Sequence, residues 1–270
     1  MLTLLAVGAL AQDDITLDLI DLDDIDLDGS SSKQEDGASQ TGLTYTGGLN
    51  ERSGALDENP RVAITHAGYT SVRCIDVPEI RARVDYTVEG TNRDKMKAAG
   101  DGIGLSVWGE GGSGGVKVRT PYAGSGITDL QVPLVVSVPK QVRLTVSGGT
   151  GGVEIINCEG TVKATAKAEG VYAKGSFTSF DLQAYGGDVI FEQADGAQID
   201  ASSKLYSSQG AVQAKLPVDA SLKLYAKGEE VAVWHTVSGD VTATSASGEI
   251  GGGGSTLTVQ AKGKVDISTP

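Results

Sequence analysis

The sequence predicts an all-β protein: a single chain wound into a parallel β-solenoid (a β-helix) with an irregular β N-terminal part, the alternative being a β-sandwich. Three observations predict it. Down the second half, glycine recurs with Val, Ile or Phe within the next three residues, as at Gly152-Val153, Gly170-Val171, Gly187-Val189, Gly210-Val212, Gly239-Val241 and Gly263-Val265. Each glycine permits a turn, and each apolar residue opens a short run in which alternate side chains are apolar. Many inward positions are alanine, which suits close walls better than a sandwich core about 10 Å thick. No segment keeps a helical period; Asn92 to Ala99 comes nearest and amounts to a turn or two.

Taken in chain order, residues 1–11 read as a signal peptide, with Ala9-Leu10-Ala11 placing cleavage before Gln12, although no basic segment precedes the apolar one. Export is therefore expected, with the protein periplasmic, on the outer surface or secreted. No apolar run is long enough to span a bilayer, and no hydrophobic C-terminal anchor is visible. Residues 12–59 read as an acidic, disordered tail. Ten carboxylates (Asp13, Asp14, Asp18, Asp21, Asp23, Asp24, Asp26, Asp28, Glu35, Asp36) stand there against Lys33 alone, most of the chain's net charge of −13. Such a composition buries too little apolar surface to offset the entropy of ordering.

Asn59-Pro60 marks the start of the folded domain, residues 60–270. Ile80, Ala82, Val84, Tyr86 and Val88 alternate with charged or polar residues, the pattern of a half-buried strand. Ile103 to Val107 and Val116 to Arg119 flank the glycine loop Gly111 to Gly115. Pro133 breaks the apolar run Val132 to Val138, marking an edge or a bend. Val142 to Val146, Val162 to Ala166, Val212 to Leu216, Leu222 to Leu224 and Leu257 to Ala261 alternate like strands. Arg61 to Thr70 and Val265 to Thr269 are the candidate covers for the open sheet ends.

The chemistry-bearing patterns are weak. Asp24, Asp26, Asp28 and Glu35 fit a calcium-loop spacing, yet no amphipathic helix leaves the loop and Ser31 stands where an apolar residue should pin it. Gly111 to Gly115 fits G-x-S-x-G around Ser113, but a strand follows where a nucleophile elbow needs a helix. His66 and His235 have no ligand or base partner at useful spacing and read as packing residues. Asp181, Asp188, Asp195 and Asp240 could pair across turns as in polysaccharide-cleaving solenoids; the cheaper role for an Asp in a Gly-Asp-Val turn is capping backbone N–H groups.

Cys74 and Cys158 allow two readings: a disulfide in an exported protein, or two separately buried thiols. Tyr185, Tyr206 and Tyr225 recur at intervals near twenty and are expected to form an aromatic ladder that fixes register, the functional reading being a strip that binds sugars. No catalytic residue, metal or cofactor is assigned. The acidic balance and the lack of a basic run argue against nucleic acid.

The series as a whole resembles the bacterial putative-adhesin family of exported β-solenoids, akin to auto-transporter adhesin head domains. The resemblance rests on Leu134-Val-Val-Ser-Val-Pro-Lys140, on Gly187-Asp-Val189 and Gly239-Asp-Val241 with variants at Gly248 and Gly263, on Leu216-Pro-Val-Asp-Ala220 and on Gly251 to Val259. Between Thr161 and Phe180 the pattern breaks, and the register there is undefined. The resemblance implies a right-handed parallel solenoid exported to the envelope: a non-catalytic adhesin-like protein, monomeric, with an envelope or surface protein or glycan as partner. The alternative is a carbohydrate-binding module or a polysaccharide-cleaving solenoid enzyme.

Overall fold

The structure, a computed structural model, describes residues 42–122 and 124–270. The strands are β1 (Leu43–Arg52), β2 (Leu56–His66), β3 (Thr70–Ile75), β4 (Arg81–Gly90), β5 (Gly104–Arg119), β6 (Ile127–Gln131), β7 (Leu134–Pro139) and β8 (Gln141–Gly148). They continue with β9 (Val153–Ala166), β10 (Val171–Ala184), β11 (Val189–Gln193), β12 (Ser203–Ser207), β13 (Val212–Lys215) and β14 (Leu222–Lys227). The last are β15 (Glu230–Val233), β16 (Val237–Val241), β17 (Ser245–Ile250), β18 (Ser255–Ala261) and β19 (Lys264–Ser268). One helix, α1 (Arg93–Asp101), lies between β4 and β5. Apart from α1, the regular structure of the described residues is all-β, and its strands join into one large mixed sheet.

Two parallel ladders make up the middle of that sheet. In the first, β2, β8, the C-terminal half of β9, the C-terminal half of β10, β12, β18 and β14 lie side by side. In the second, β7, β3, the N-terminal halves of β9 and β10, β11, β13, β19 and β15 do the same. The wholly parallel arrangement expected from the glycine series stops at both ends. There β1, β6 and β7 pair antiparallel with β4, and β17 pairs antiparallel with β14 and β16. Pro133 falls in the break between β6 and β7, so two short strands share the edge of β4.

The inward side chains of the two ladders fill one core. One row runs Val72 or Val136, Ile155, Ala173, Phe191, Ala214 and Ile267. Phe191 stands between two alanines, and its ring meets Phe180 at 4.1 Å and Phe177 at 5.7 Å. The narrow interior expected from the alanines is therefore not uniform: small residues make room for three fully buried phenylalanines. The irregular stretch between Thr161 and Phe180 carries bulges. Within it the β9–β10 register shifts at Lys174/Gly175 and Phe177/Ser179, and just before it Asn157 and Gly160 adopt left-handed backbone (φ 61° and 104°).

Three expectations are corrected. Strand structure is already present at Leu43, ahead of residue 60. Leu49 pairs with Val84 and Tyr45 with Val88, while Leu43 and Tyr45 pack against Val88, Met96 and Ala99. The two glycines at 47 and 48 hid the alternation. At Gly47 the Tyr86 ring crosses the strand where a β-carbon would stand. Second, Arg61 to Thr70 and Val265 to Thr269 are not covers: β2 lies between β5 and β8, and β19 between β13 and β15. Third, the helix candidate is longer than a turn or two and holds Arg93–Asp101, with the Asn92 side chain accepting from the Lys95 amide at 3.0 Å. The signal peptide, the carboxylate-rich part of the tail and the calcium-loop residues Asp24, Asp26, Asp28 and Glu35 lie outside the described residues.

Candidate functional site

Cys74 follows Arg73, the last β3 residue paired with β9, and Cys158 stands beyond the left-handed Asn157 on β9. That bulge turns Cys158 to the same buried face as Cys74. The two Cα atoms are 4.8 Å apart, and the sulfurs are joined across a sequence separation of 84. Cys74 lines a groove of about 640 Å³, with Lys140, Glu159, Lys174, Glu192 and Asp195 around it.

The groove's charges are largely matched. Lys140 pairs with Glu159 at 3.1 Å, and Glu192 takes both Lys174 and Lys215 at 3.1 Å. Desolvation pushes the Glu192 carboxyl upward, but hydrogen bonds and charge from Lys215 and Lys174 outweigh it and hold it below its ordinary range. A carboxylate clamped between two ammonium groups is a poor general acid.

On the outer face of the second ladder, Tyr69 Oη donates to Glu154 Oε2 at 3.1 Å and Ser71 Oγ to the same oxygen at 2.6 Å. Burial, then the Glu154 charge, pushes the Tyr69 phenol up to about 12. Nearby on β3, Arg73 Nε is buried with no hydrogen-bond partner.

The expected aromatic ladder is incomplete. Tyr185 and Tyr206 meet edge to face at 6.0 Å, whereas Tyr225 sits beyond β18, which lies between β12 and β14. The interval near twenty reflects one circuit of chain, but the circuit carrying Tyr225 is displaced by a strand that arrives later in the sequence.

The four aspartates are scattered. Asp181 on β10 faces Lys163 at 3.6 Å, Asp195 borders the groove and Asp240 lies on the exposed β16. Asp188 Oδ1 accepts from the Ala211 amide at 2.7 Å, a capping contact between adjacent turns. His66 is buried. Its Nε2 lies 2.6 Å from the Val132 carbonyl, so that nitrogen carries the proton, and Nδ1 has no partner. Burial lowers its pKa, against the raising effect of that hydrogen bond. His235 Nε2 meets the Ser268 carbonyl at 3.3 Å. Ser113 lies within β5, paired with Arg61 in the strand that continues to Arg119.

Sequence reasoning missed a basic face. The chain has no basic run, yet the outward side of the first ladder gathers Lys163, Lys204, Lys223, Lys227 and Lys262 on or beside β9, β12, β14 and β18. Single lysines alternating with apolar residues were the only signal, and each reads as an ordinary wet strand face until the strand order is known.

No protein-family model matches the chain, and no curated protein matches it. Among solved structures it is similar to a "putative cell adhesion protein" from Clostridium sporogenes, with a TM-score of 0.49 and 11% identity, covering 83% of this chain and 100% of that one. It is similar to a "putative adhesin" from Bacteroides fragilis, with a TM-score of 0.29, 10% identity and coverage of 86% and 98%. A "putative lipid binding protein" from Parabacteroides distasonis has a TM-score of 0.29, 12% identity and coverage of 82% and 96%. A likeness of this size assigns neither fold nor role to the present chain. No helix among the described residues is long and apolar enough to cross a membrane.

Proposed function

We propose that the chain is a parallel β-solenoid with antiparallel ends, acting as a non-catalytic, adhesin-like interaction protein of the bacterial cell envelope. The observation that carries this reading is the continuity of backbone pairing through the turns. Lys167 bonds to Gly149, Tyr185 to Ala166, Ser208 to Ala184 and Lys262 to Ser207 on one side. Val153 bonds to Gly170, Val171 to Asp188 and Val189 to Ala211 on the other. Pairing that continues from strands into turns supports a stack of circuits that works through its outer faces. The Cys74–Cys158 bridge supports export, because such bonds persist in oxidising compartments. The protein is read as a monomer working through these faces.

The test is adhesion of particles coated with the full chain to isolated envelope material. Saturable adhesion, blocked by soluble protein, is expected. Turnover of a polysaccharide panel that Asp181→Asn abolishes would replace this reading with an enzymatic one.

A further inference from the structure

The outward face of β9, β10, β12, β18 and β14 combines three features that the adhesin-like reading leaves unused. The register sets Lys163, Asp181, Lys204, Thr258 and Tyr225 in one row across the five strands. Thr165, Gln183, Tyr206, Gln260 and Lys227 form the next row. Lysines thus recur along the stack at multiples of the strand spacing of about 4.8 Å.

The aromatic rings are held in place. Tyr185 Oη donates to Gln183 Oε1 at 3.1 Å, and Gln183 Nε2 donates to Asp181 Oδ1 at 2.7 Å. Tyr206 packs edge to face against Tyr185, and Lys204 Nζ lies 5.0 Å from the Tyr206 ring centre. Tyr185 and Tyr225 are about half exposed. The charge is only partly neutralised: Asp181 is matched by Lys163 at 3.6 Å and Glu249 on β17 lies across from Lys223, while Lys204, Lys227 and Lys262 have no carboxylate within ion-pair distance among the described residues. A local positive face on a chain of net charge −13 selects an anion.

We propose that this face binds an acidic polysaccharide, a linear polymer of uronic acid units. Tyrosine rings stack on the C–H faces of sugars, the lysines meet the carboxylates, and Gln183, Gln260 and Thr258 offer both donors and acceptors to hydroxyls. A nucleic acid fits less well. Its duplex carries a charge about every 1.7 Å, which the surrounding acidic protein repels more strongly than one carboxylate per sugar ring. The inference rests on the reading of the chain as an interaction protein and names the face and ligand class.

The experiment measures binding of the full chain to polygalacturonate, dextran, oligo(dT) and polyglutamate across a salt series. Saturable binding to polygalacturonate is expected, about tenfold or more tighter than to the other three. Lys204→Gln/Lys227→Gln/Lys262→Gln should weaken it by about tenfold and flatten its salt dependence. Tyr185→Ala should weaken it severalfold while leaving the salt dependence and the unfolding midpoint unchanged. No binding to polygalacturonate, equal binding to dextran, oligo(dT) or polyglutamate, or full binding by the triple variant overturns the inference. Adhesion to envelope material that survives in the triple variant would sink this inference alone and leave the adhesin-like reading standing.

Discussion

Gln193 on β11 donates from Nε2 to the Phe177 carbonyl at 2.8 Å and accepts at Oε1 from the Phe177 amide at 3.3 Å. One buried side chain thereby satisfies both backbone groups of a residue on β10, at the place where the β9–β10 register shifts. Ser203 Oγ does the same for the Phe180 amide, at 3.1 Å. These contacts let the ladder bend without leaving buried donors unpaired.

Gln193→Leu leaves both Phe177 groups unpaired in a dry site. It should lower stability by at least about 2 kcal/mol. Urea unfolding with an unchanged m-value measures this, and a loss under about 0.5 kcal/mol would refute the role.

Phe191 fills the space that Ala173 and Ala214 leave on the adjacent strands. Phe191→Ala should cost about 3–5 kcal/mol through the cavity it opens. The converse, Ala214→Leu, should cost about 1–3 kcal/mol by overpacking the same ring. Thermal midpoints of the two variants against the wild type decide whether the row is packed this tightly.

The Cys74–Cys158 bridge closes a separation of 84 residues and ties β3 to β9. Chain-entropy reasoning gives a loss of about 4–5 kcal/mol without it, and about 2–5 kcal/mol is usual for native bridges. Cys74→Ala/Cys158→Ala should therefore unfold at a clearly lower denaturant concentration. Reductant should destabilise the wild type and leave that variant unaffected.

His66 predicts a pH dependence. Its folded pKa lies below the ordinary value of 6.5, so below that pH the unfolded chain binds more protons than the folded one. The neutral ring's contribution is present above about 6.5 and is lost as pH falls through the lowered folded value. Between about pH 7 and 5 the wild type should lose stability that His66→Gln does not lose. Equal slopes for the two proteins in this window would contradict the assignment.

Much of the fold was legible in the sequence because turn glycines and alternating apolar residues are local signals. Val189, Phe191, Val212 and Ala214 announce their inward faces within a few residues. Strand order is not local. Nothing in Leu257 to Ile267 says that it inserts beside β12 and β13 and not after β17, and this hid both the displacement of Tyr225 and the basic face. The strand at Leu43–Arg52 was obscured by Gly47 and Gly48, which break its apolar alternation. The pairing of Cys74 with Cys158 depended on the bulge at Asn157, a backbone feature with no pattern in the residues around it.

The insertion of the last two strands can be tested by cross-linking. Gln213 on β13 lies directly across from Asp266 on β19, and Asp266 across from Ala232 on β15. Mild oxidation should bridge the cysteines of Gln213→Cys/Asp266→Cys and leave those of Gln213→Cys/Ala232→Cys free, since β19 separates them. Bridging of the second pair in place of the first would show the strands stacked in sequence order and contradict the architecture on which the outer faces and the proposed ligand depend.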